Sequence, residues 1–276
     1  MLRITNELRL LQMNLHRSRE RTHGVLSDPD TKDYTMILLQ EPYWSDYMKE
    51  SPSHQSWTRY EPTNRDKDPR AVTYVNKAYV TPAQITQIEL PFTDVVALRI
   101  HSRNSQEPPA LIINVYNPGD KAIIRELHEE LQKIHFDSDA LVILAGDFNC
   151  HHPLWNPENY PRHDDTADHL VELATDLGLT LLIPPGTVTY PNAQTAIDLV
   201  WGNHSAEARL LRCQIAEQND QGSDHLPVET CLSSMENPVP ETPRLDFSRT
   251  DWAKFDELLK AKLPPPPPDN GAHKVN

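Results

Sequence analysis

The longest apolar runs of this chain each end at a polar side chain, and that pattern restricts the fold more than any other feature. Leu8 to Leu15 reads LRLLQMNL, with Asn14 near its end, and Tyr34 to Gln40 is followed by Glu41-Pro42. Leu111 to Tyr116 meets Asn117, and Leu141 to Ala145 runs directly into Gly146-Asp147-Phe148-Asn149. Short continuous apolar runs bounded by turn residues read as buried strands. Val72 to Val75, Ile85 to Leu90, Val95 to Ile100, Thr187 to Tyr190, Ala196 to Trp201, Leu210 to Ile215 and Leu226 to Cys231 add further strands. An Arg-rich helix is expected to stop before Pro29, and residues 45 to 70 read as a long loop with short strands. Lys121 to Ile134 has a helical apolar period, and Thr166 to Leu177 is amphipathic, with Gly178 as its C-cap. Strands on either side of two central helices predict two sheets packed face to face with helices outside, a layered α/β sandwich.

The 276 residues suffice for one large core. The 25 prolines against 8 glycines point to rigid loop corners and to a non-globular tail. Composition shifts near residue 234, and Pro264 to Pro268 is an unbroken proline run. The expected organisation is a domain over 1–233 and a proline-rich tail or linker over 234–276, with a short amphipathic helix over Asp251 to Leu263. The three widely spaced cysteines make neither a disulfide framework nor a zinc motif, so a reducing compartment is expected. No signal pattern opens the chain and no apolar run reaches membrane-spanning length, which predicts a soluble intracellular protein without a membrane partner. The formal charge of −14 argues against a nucleic-acid partner, because phosphate contacts need Lys and Arg. A site that gathers carboxylates around a divalent cation carries such a balance as well.

One rim of a layered sheet structure can collect the run-end residues into a single cleft. Asp198 lies within AIDLVW, where an acid amid apolar neighbours needs a partner. Asp224-His225 immediately precedes LPVETC. Taken singly, Asn14, Glu41 and the Asp147-Phe148-Asn149 turn are ordinary strand-end residues, and His225 is an ordinary structural histidine. Their joint occurrence at run ends is not ordinary. Clustered carboxylates repel one another unless a cation lies among them, and oxygen-rich ligands suit Mg²⁺ or Mn²⁺. Ser223 beside His225 is poor support for a Ser/His/Asp triad.

Asn14, Gln40-Glu41, Tyr116-Asn117, Gly146 to Asn149, Ile197-Asp198 and Ser223-Asp224-His225, in this order, resemble the endonuclease/exonuclease/phosphatase superfamily. The wording of LLQMNLHRS, LLQEPYW, GDFNCHHPLW, IDLVW and SDHLPV is similar to the endonuclease domain of non-LTR (LINE-type) retrotransposons. The resemblance implies a four-layered α/β sandwich of two mixed sheets flanked by helices. It also implies magnesium-dependent hydrolysis of one DNA strand in the nucleus, leaving a 3′-hydroxyl that primes a reverse-transcriptase domain of the same element. Carried over by position, Glu41, Asn14 and Asp224 would hold the metal, and Asp147 would orient or deprotonate the attacking water. Asn149 would hold the phosphate or the nucleophile, while His225, oriented by Asp198, and Tyr116 would donate to the phosphate. Asn117, Thr189 and Ser223 would contact substrate. Arg17, Arg19 and Arg21, or Arg65, Lys67 and Arg70, would supply local positive charge for DNA. Two other readings stay open: a phosphatase of the same superfamily acting on small phosphoesters, and a silent interaction module from a decayed element.

Overall fold

Strand β1 (Glu7–Asn14) shows how the sequence builds the core. Its side chains alternate: Leu8 and Leu10 join the larger apolar cluster, while Leu11, Met13 and the following Leu15 join a second one. The same alternation divides β2 (Met36–Gln40), where Met36 and Leu38 face one way and Ile37 and Leu39 the other. By this period Gln12, Asn14 and Gln40 point to the same side as Leu10 and Leu38, which places polar groups in the inter-sheet space at one rim.

The computed structural model describes residues 7–102, 108–134 and 139–233, with Lys254 and Glu257. The first six-stranded sheet also contains β3 (Trp57–Tyr60), β4 (Ala71–Asn76), β11 (Leu210–Ile215) and β12 (Val228–Ser233), in the order β11-β12-β1-β2-β4-β3. The second contains β5 (Ile85–Ile88), β6 (Val95–Ile100), β7 (Ala110–Tyr116), β8 (Leu141–Asp147), β9 (Leu179–Leu181) and β10 (Asp198–Asn203), in the order β5-β6-β7-β8-β10-β9. Each sheet has one parallel pair, β1 with β2 and β7 with β8, among antiparallel neighbours. Helix α1 (Arg19–Ser27) covers the first sheet through Val25 and Leu26. Helices α2 (Lys121–Gln132), α3 (Asp165–Asp176) and α4 (His204–Arg209) add Ile124, Leu127, Leu170, Leu173 and Ala206 to the core of the second. This is a DNase I-like α/β sandwich of two mixed sheets flanked by helices.

Three expectations change. Thr187 to Tyr190 forms no strand; it is a turn closed by the bridge between Tyr190 and Thr195. Pro184, Pro185 and Pro191 lack the N–H groups a ladder needs, and a 3₁₀ turn fills Pro191–Ala193 instead. The last strand starts at Val228 because Leu226 and Pro227 lead out of the site loop. Of the basic patches, Arg65 pairs with Glu61 at 3.0 Å and Arg70 grips Asp94 at 2.5 Å, so neither is a free cation.

The chain divides into two units, Met1–Pro238 and Val239–Asn276. The expected helix over Asp251 to Leu263 and the proline run lie outside the described residues, except for the helical Lys254 and Glu257. Among the described residues no helix is long and apolar enough to cross a membrane.

Candidate active site

Strand register assembles the site. In the second sheet Tyr116 pairs with Asp147 across β7 and β8, and Asp147 pairs with Asp198 across β8 and β10. In the first, Asn14 pairs with Gln40, so Glu41 emerges beside it. The segment before β12 returns over Asn14, where the Ser223 hydroxyl donates to the Asn14 carbonyl at 2.7 Å. Face-to-face packing then brings the two rims together: the Asn14 amide donates to Asp147 Oδ2 at 2.8 Å, and the Gln12 amide to Asp198 Oδ1 at 2.9 Å.

The resulting cleft, about 330 Å³, is lined by Asn14, Glu41, Tyr116, Asp147, Asn149, Asp224 and His225. It thus opens on every expected metal ligand and on every expected catalytic residue but Asp198, which is fully buried behind His225. His225 Nδ1 donates to Asp198 Oδ2 at 2.8 Å, and its Nε2 lies 4.0 Å from Asp147 Oδ2. Burial alone disfavours the imidazolium, but Asp198, Asp147 and Asp224 outweigh it and raise the pKa to about 9. Asp147 is pushed above the usual carboxylate range by burial and by Asp198, against the opposing pull of His225 and the Asn14 amide. Burial, followed by the charges of Glu41 and Asp147, likewise keeps the Tyr116 phenol protonated far above neutrality. Its ring carries the Arg70 guanidinium at 4.7 Å.

Backbone geometry marks the same place. Glu41 (φ 43°) and Asn149 (φ 47°) sit in the left-handed region, as do His16 and Arg17 beside Glu41. For Glu41 this conformation costs about 1–3 kcal/mol and persists because its surroundings hold it. Its N–H donates to the Arg70 carbonyl and its carbonyl accepts from Arg17 N, both at 2.7 Å. Asn149 is held by Asp147 Oδ1, which accepts its N–H at 3.0 Å, and by Asn117 O, which accepts its amide at 2.8 Å. Gly146 cannot be another residue: a Cβ there would lie 1.9 Å from the Val115 carbonyl oxygen.

Three expected substrate contacts sit behind the cleft instead of lining it. The Thr189 hydroxyl accepts from the N–H groups of Ile197 and Asp198, both at 3.1 Å, and so sets the start of β10. Asn117 donates to the Phe148 carbonyl at 2.9 Å and accepts from Asp120 N at 3.0 Å. Ser223 clamps Asn14 as described. Sequence reasoning missed the layer beneath: Gln12 donates to Gln40 at 2.6 Å, and Gln40 to Asn114 at 2.5 Å. It also missed His151, Tyr160, Arg162 and Tyr190, which line the far wall. The run GDFNCHH carried a signal for His151, two residues past Asn149.

The donor set fits a hard divalent cation. Glu41 lies 3.9 Å from Arg17 Nε and Asp224 3.5 Å from His16 Nδ1, so among the described residues no tight ion pair closes either carboxylate off from the cleft. Asn14 Oδ1 accepts from His16 N at 2.9 Å and keeps a second lone pair. Asp147, Asp198 and His225 also place one ligand atom each within 4.8 Å of one another, a candidate metal-binding triad. Its imidazole already donates to Asp198, so a proton does there what a cation would do. His152, His163 and Asp168 form a second such cluster, but His152 Nδ1 accepts from Leu154 N at 3.0 Å, which leaves the proton on the nitrogen facing the cluster.

The family described as endonuclease-reverse transcriptase matches residues 110–229, the stretch from β7 into β12. No curated protein sequence matches the chain. Among solved structures, the endonuclease domain of TRAS1, a telomere-specific non-LTR retrotransposon, superposes with a TM-score of 0.65 at 18% identity, over 83% of this chain and all of that one. An AP endonuclease from Leishmania major gives 0.61 at 11% identity, covering 82% and 88% of the two chains. One from Archaeoglobus fulgidus gives 0.61 at 15% identity, covering 81% and 98%. Over residues 110–229 the chain is similar to the endonuclease-reverse transcriptase family, and its fold is that of these endonucleases.

Proposed function

We propose that the chain is a Mg²⁺- or Mn²⁺-dependent DNA endonuclease that nicks one strand and leaves a 3′-hydroxyl. The observation that carries this reading is the His225 imidazole, held against the buried Asp198 on the floor of a cleft rimmed by Glu41, Asp147 and Asp224. Such a floor presents a charge-assisted donor where an anionic phosphate must enter. The likeness to retrotransposon endonucleases and the shared fold support DNA as the substrate. On the same reading a reverse-transcriptase domain is the partner and the nucleus the place of action.

Glu41, Asn14 and Asp224 would hold the ion, which supplies Lewis-acid polarisation of the phosphate. Asp147 accepts the proton of the attacking water, its carboxylate held in place by the Asn14 amide and the Asn149 N–H. Asn149, fixed by Asp147 and Asn117, positions that water. His225 and Tyr116 donate to the phosphate oxygens as charge builds on them. Thr189, Asn117 and Ser223 preorganise these groups from behind.

The test is supercoiled-plasmid nicking with Mg²⁺, comparing wild type with Asp147→Ala and His225→Ala. Wild type should nick and both variants should lose at least about a hundredfold in rate. An intact plasmid together with phosphate release from an inositol phosphate would assign the small-phosphoester reading. Inactivity in both assays would assign the silent module.

A further inference from the structure

His151 is the one buried imidazole on the cleft wall that the proposed chemistry leaves without a task, and its surroundings define which nitrogen carries its proton. Asn156 Oδ1 accepts from Ala196 N at 3.1 Å, which orients that amide with its oxygen toward Thr195. The Thr195 hydroxyl lies against the same oxygen in a short contact, and two oxygens that close must share a proton, so Thr195 is the donor. Having given its only proton to Asn156, Thr195 can only accept from His151 Nδ1 at 3.0 Å. The Nδ1–H tautomer follows, with an unprotonated Nε2. Among the described residues nothing hydrogen-bonds to Nε2. Burial and the neighbouring Arg162 oppose a second proton on the ring.

His151 is anchored at the main chain too: its N–H donates to Asp164 Oδ2 at 3.0 Å, and its carbonyl accepts from Asp164 N at 2.9 Å. Asp164 also holds Arg162 Nε at 2.8 Å. The Tyr160 ring packs on the imidazole at 5.1 Å. His151, Tyr160 and Arg162 thus form one wall of the cleft that contains Asp147 and His225. Arg162 is the only Lys or Arg among the lining residues, so this wall combines a cation, an aromatic face and a hydrogen-bond acceptor.

A phosphate offers no proton to such an acceptor at neutral pH, but an amino-bearing nucleobase does. Resting on the DNA reading above, we infer that His151 is a specificity-determining residue. Its Nε2 accepts a hydrogen bond from the exocyclic amine of a nucleobase next to the scissile phosphate, and Thr195 and Asn156 are positioning residues that hold the required tautomer.

The experiment uses the full chain with Mg²⁺ and short duplexes in which adenine, cytosine or guanine flanking the cut is replaced by purine, pyrimidin-2-one or hypoxanthine, each lacking the amine. Wild type should cut at least one deamino duplex about tenfold more slowly than its parent, the worth of one specific hydrogen bond. His151→Phe keeps a ring against Tyr160 and should bring that ratio to one. Thr195→Val should also flatten the ratio, whereas Thr195→Ser, which retains the hydroxyl, should restore it. NMR of the imidazole nitrogens in the wild-type protein should show Nδ1 protonated and Nε2 bare, a readout independent of how the variants fold. Cutting without discrimination by wild type, discrimination that survives His151→Phe, or a proton on Nε2 overturns the inference and leaves the nuclease reading standing. Absence of cutting on every duplex overturns both.

Discussion

Asp198→Asn is the most incisive perturbation of the His225 site, because it removes a charge while keeping the shape. In the wild type the two Asp198 oxygens accept from different donors, Gln12 Nε2 at 2.9 Å and His225 Nδ1 at 2.8 Å. An amide in that place turns one acceptor into a donor, so one of the two partners faces a like group. The larger loss is electrostatic. The rise of the His225 pKa from 6.5 to about 9 corresponds to about 3 kcal/mol in favour of the imidazolium, at about 1.4 kcal/mol per tenfold. The site is almost fully buried, so solvent screening takes little from that figure. Because the folded pKa is raised, this stabilisation is fully present below the unfolded value of 6.5 and is lost as pH rises through about 9. Without the Asp198 charge and hydrogen bond, burial is opposed only by Asp147 and Asp224, and the pKa falls back toward the usual histidine value. At about pH 7.5 roughly a tenth of His225 would then be charged, and nicking should fall about tenfold, with partial recovery toward lower pH. The assay is an NMR titration of His225 in metal-free protein, paired with urea unfolding across the same pH range. A wild-type His225 that titrates near 6.5, or an Asp198→Asn protein in which it still titrates near 9, would refute the reasoning.

Glu41→Gln should abolish the stabilisation that Mg²⁺ brings: wild type should gain about 2.7 kcal/mol at a hundred times the dissociation constant, read as a rise in Tm. Thr189→Val strands the N–H groups of Ile197 and Asp198 and should cost about 2–4 kcal/mol in urea unfolding, with most of the loss recovered in Thr189→Ser. Gly146→Ala drives a methyl into the Val115 carbonyl and should destabilise by more than about 4 kcal/mol, read as loss of soluble folded protein or of cooperative unfolding. Glu229 is held at a pKa of about 2 because the Arg212, Arg9 and Tyr34 hydrogen bonds outweigh burial. Its stabilisation is present above the unfolded value of 4.5 and lost as pH falls through about 2, so Glu229→Gln should weaken acid resistance in that window.

The strand runs and their polar ends were legible because they are local: the alternation in LRLLQMN determines which side chains share a face, and run ends mark the rim. Asn14, Glu41, Tyr116, Asp147, Asn149, Asp224 and His225 meet in one cleft, as their places at run ends suggested. What was not legible depends on pairings far apart in sequence. Nothing local says that Asp147 lies across from Asp198, or that Gln12 reaches between the sheets to the same carboxylate. Thr189, Asn117 and Ser223 carry the right chemistry for substrate contact, but neighbouring backbone N–H and C=O groups claim their polar atoms first. Arg65 and Arg70 likewise read as open charge until Glu61 and Asp94 are seen beside them.

The central claim, that this cleft cuts DNA and leaves a 3′-hydroxyl, is met most directly by the ends of the product. Plasmid incubated with wild-type protein and Mg²⁺ is treated with a DNA polymerase and labelled nucleotides, without prior phosphatase. The account predicts label at the nick, none with Asp147→Ala or His225→Ala, and none when the metal is chelated. Nicks that take label only after phosphatase, or a wild type that leaves plasmid intact while releasing phosphate from an inositol phosphate, would contradict it.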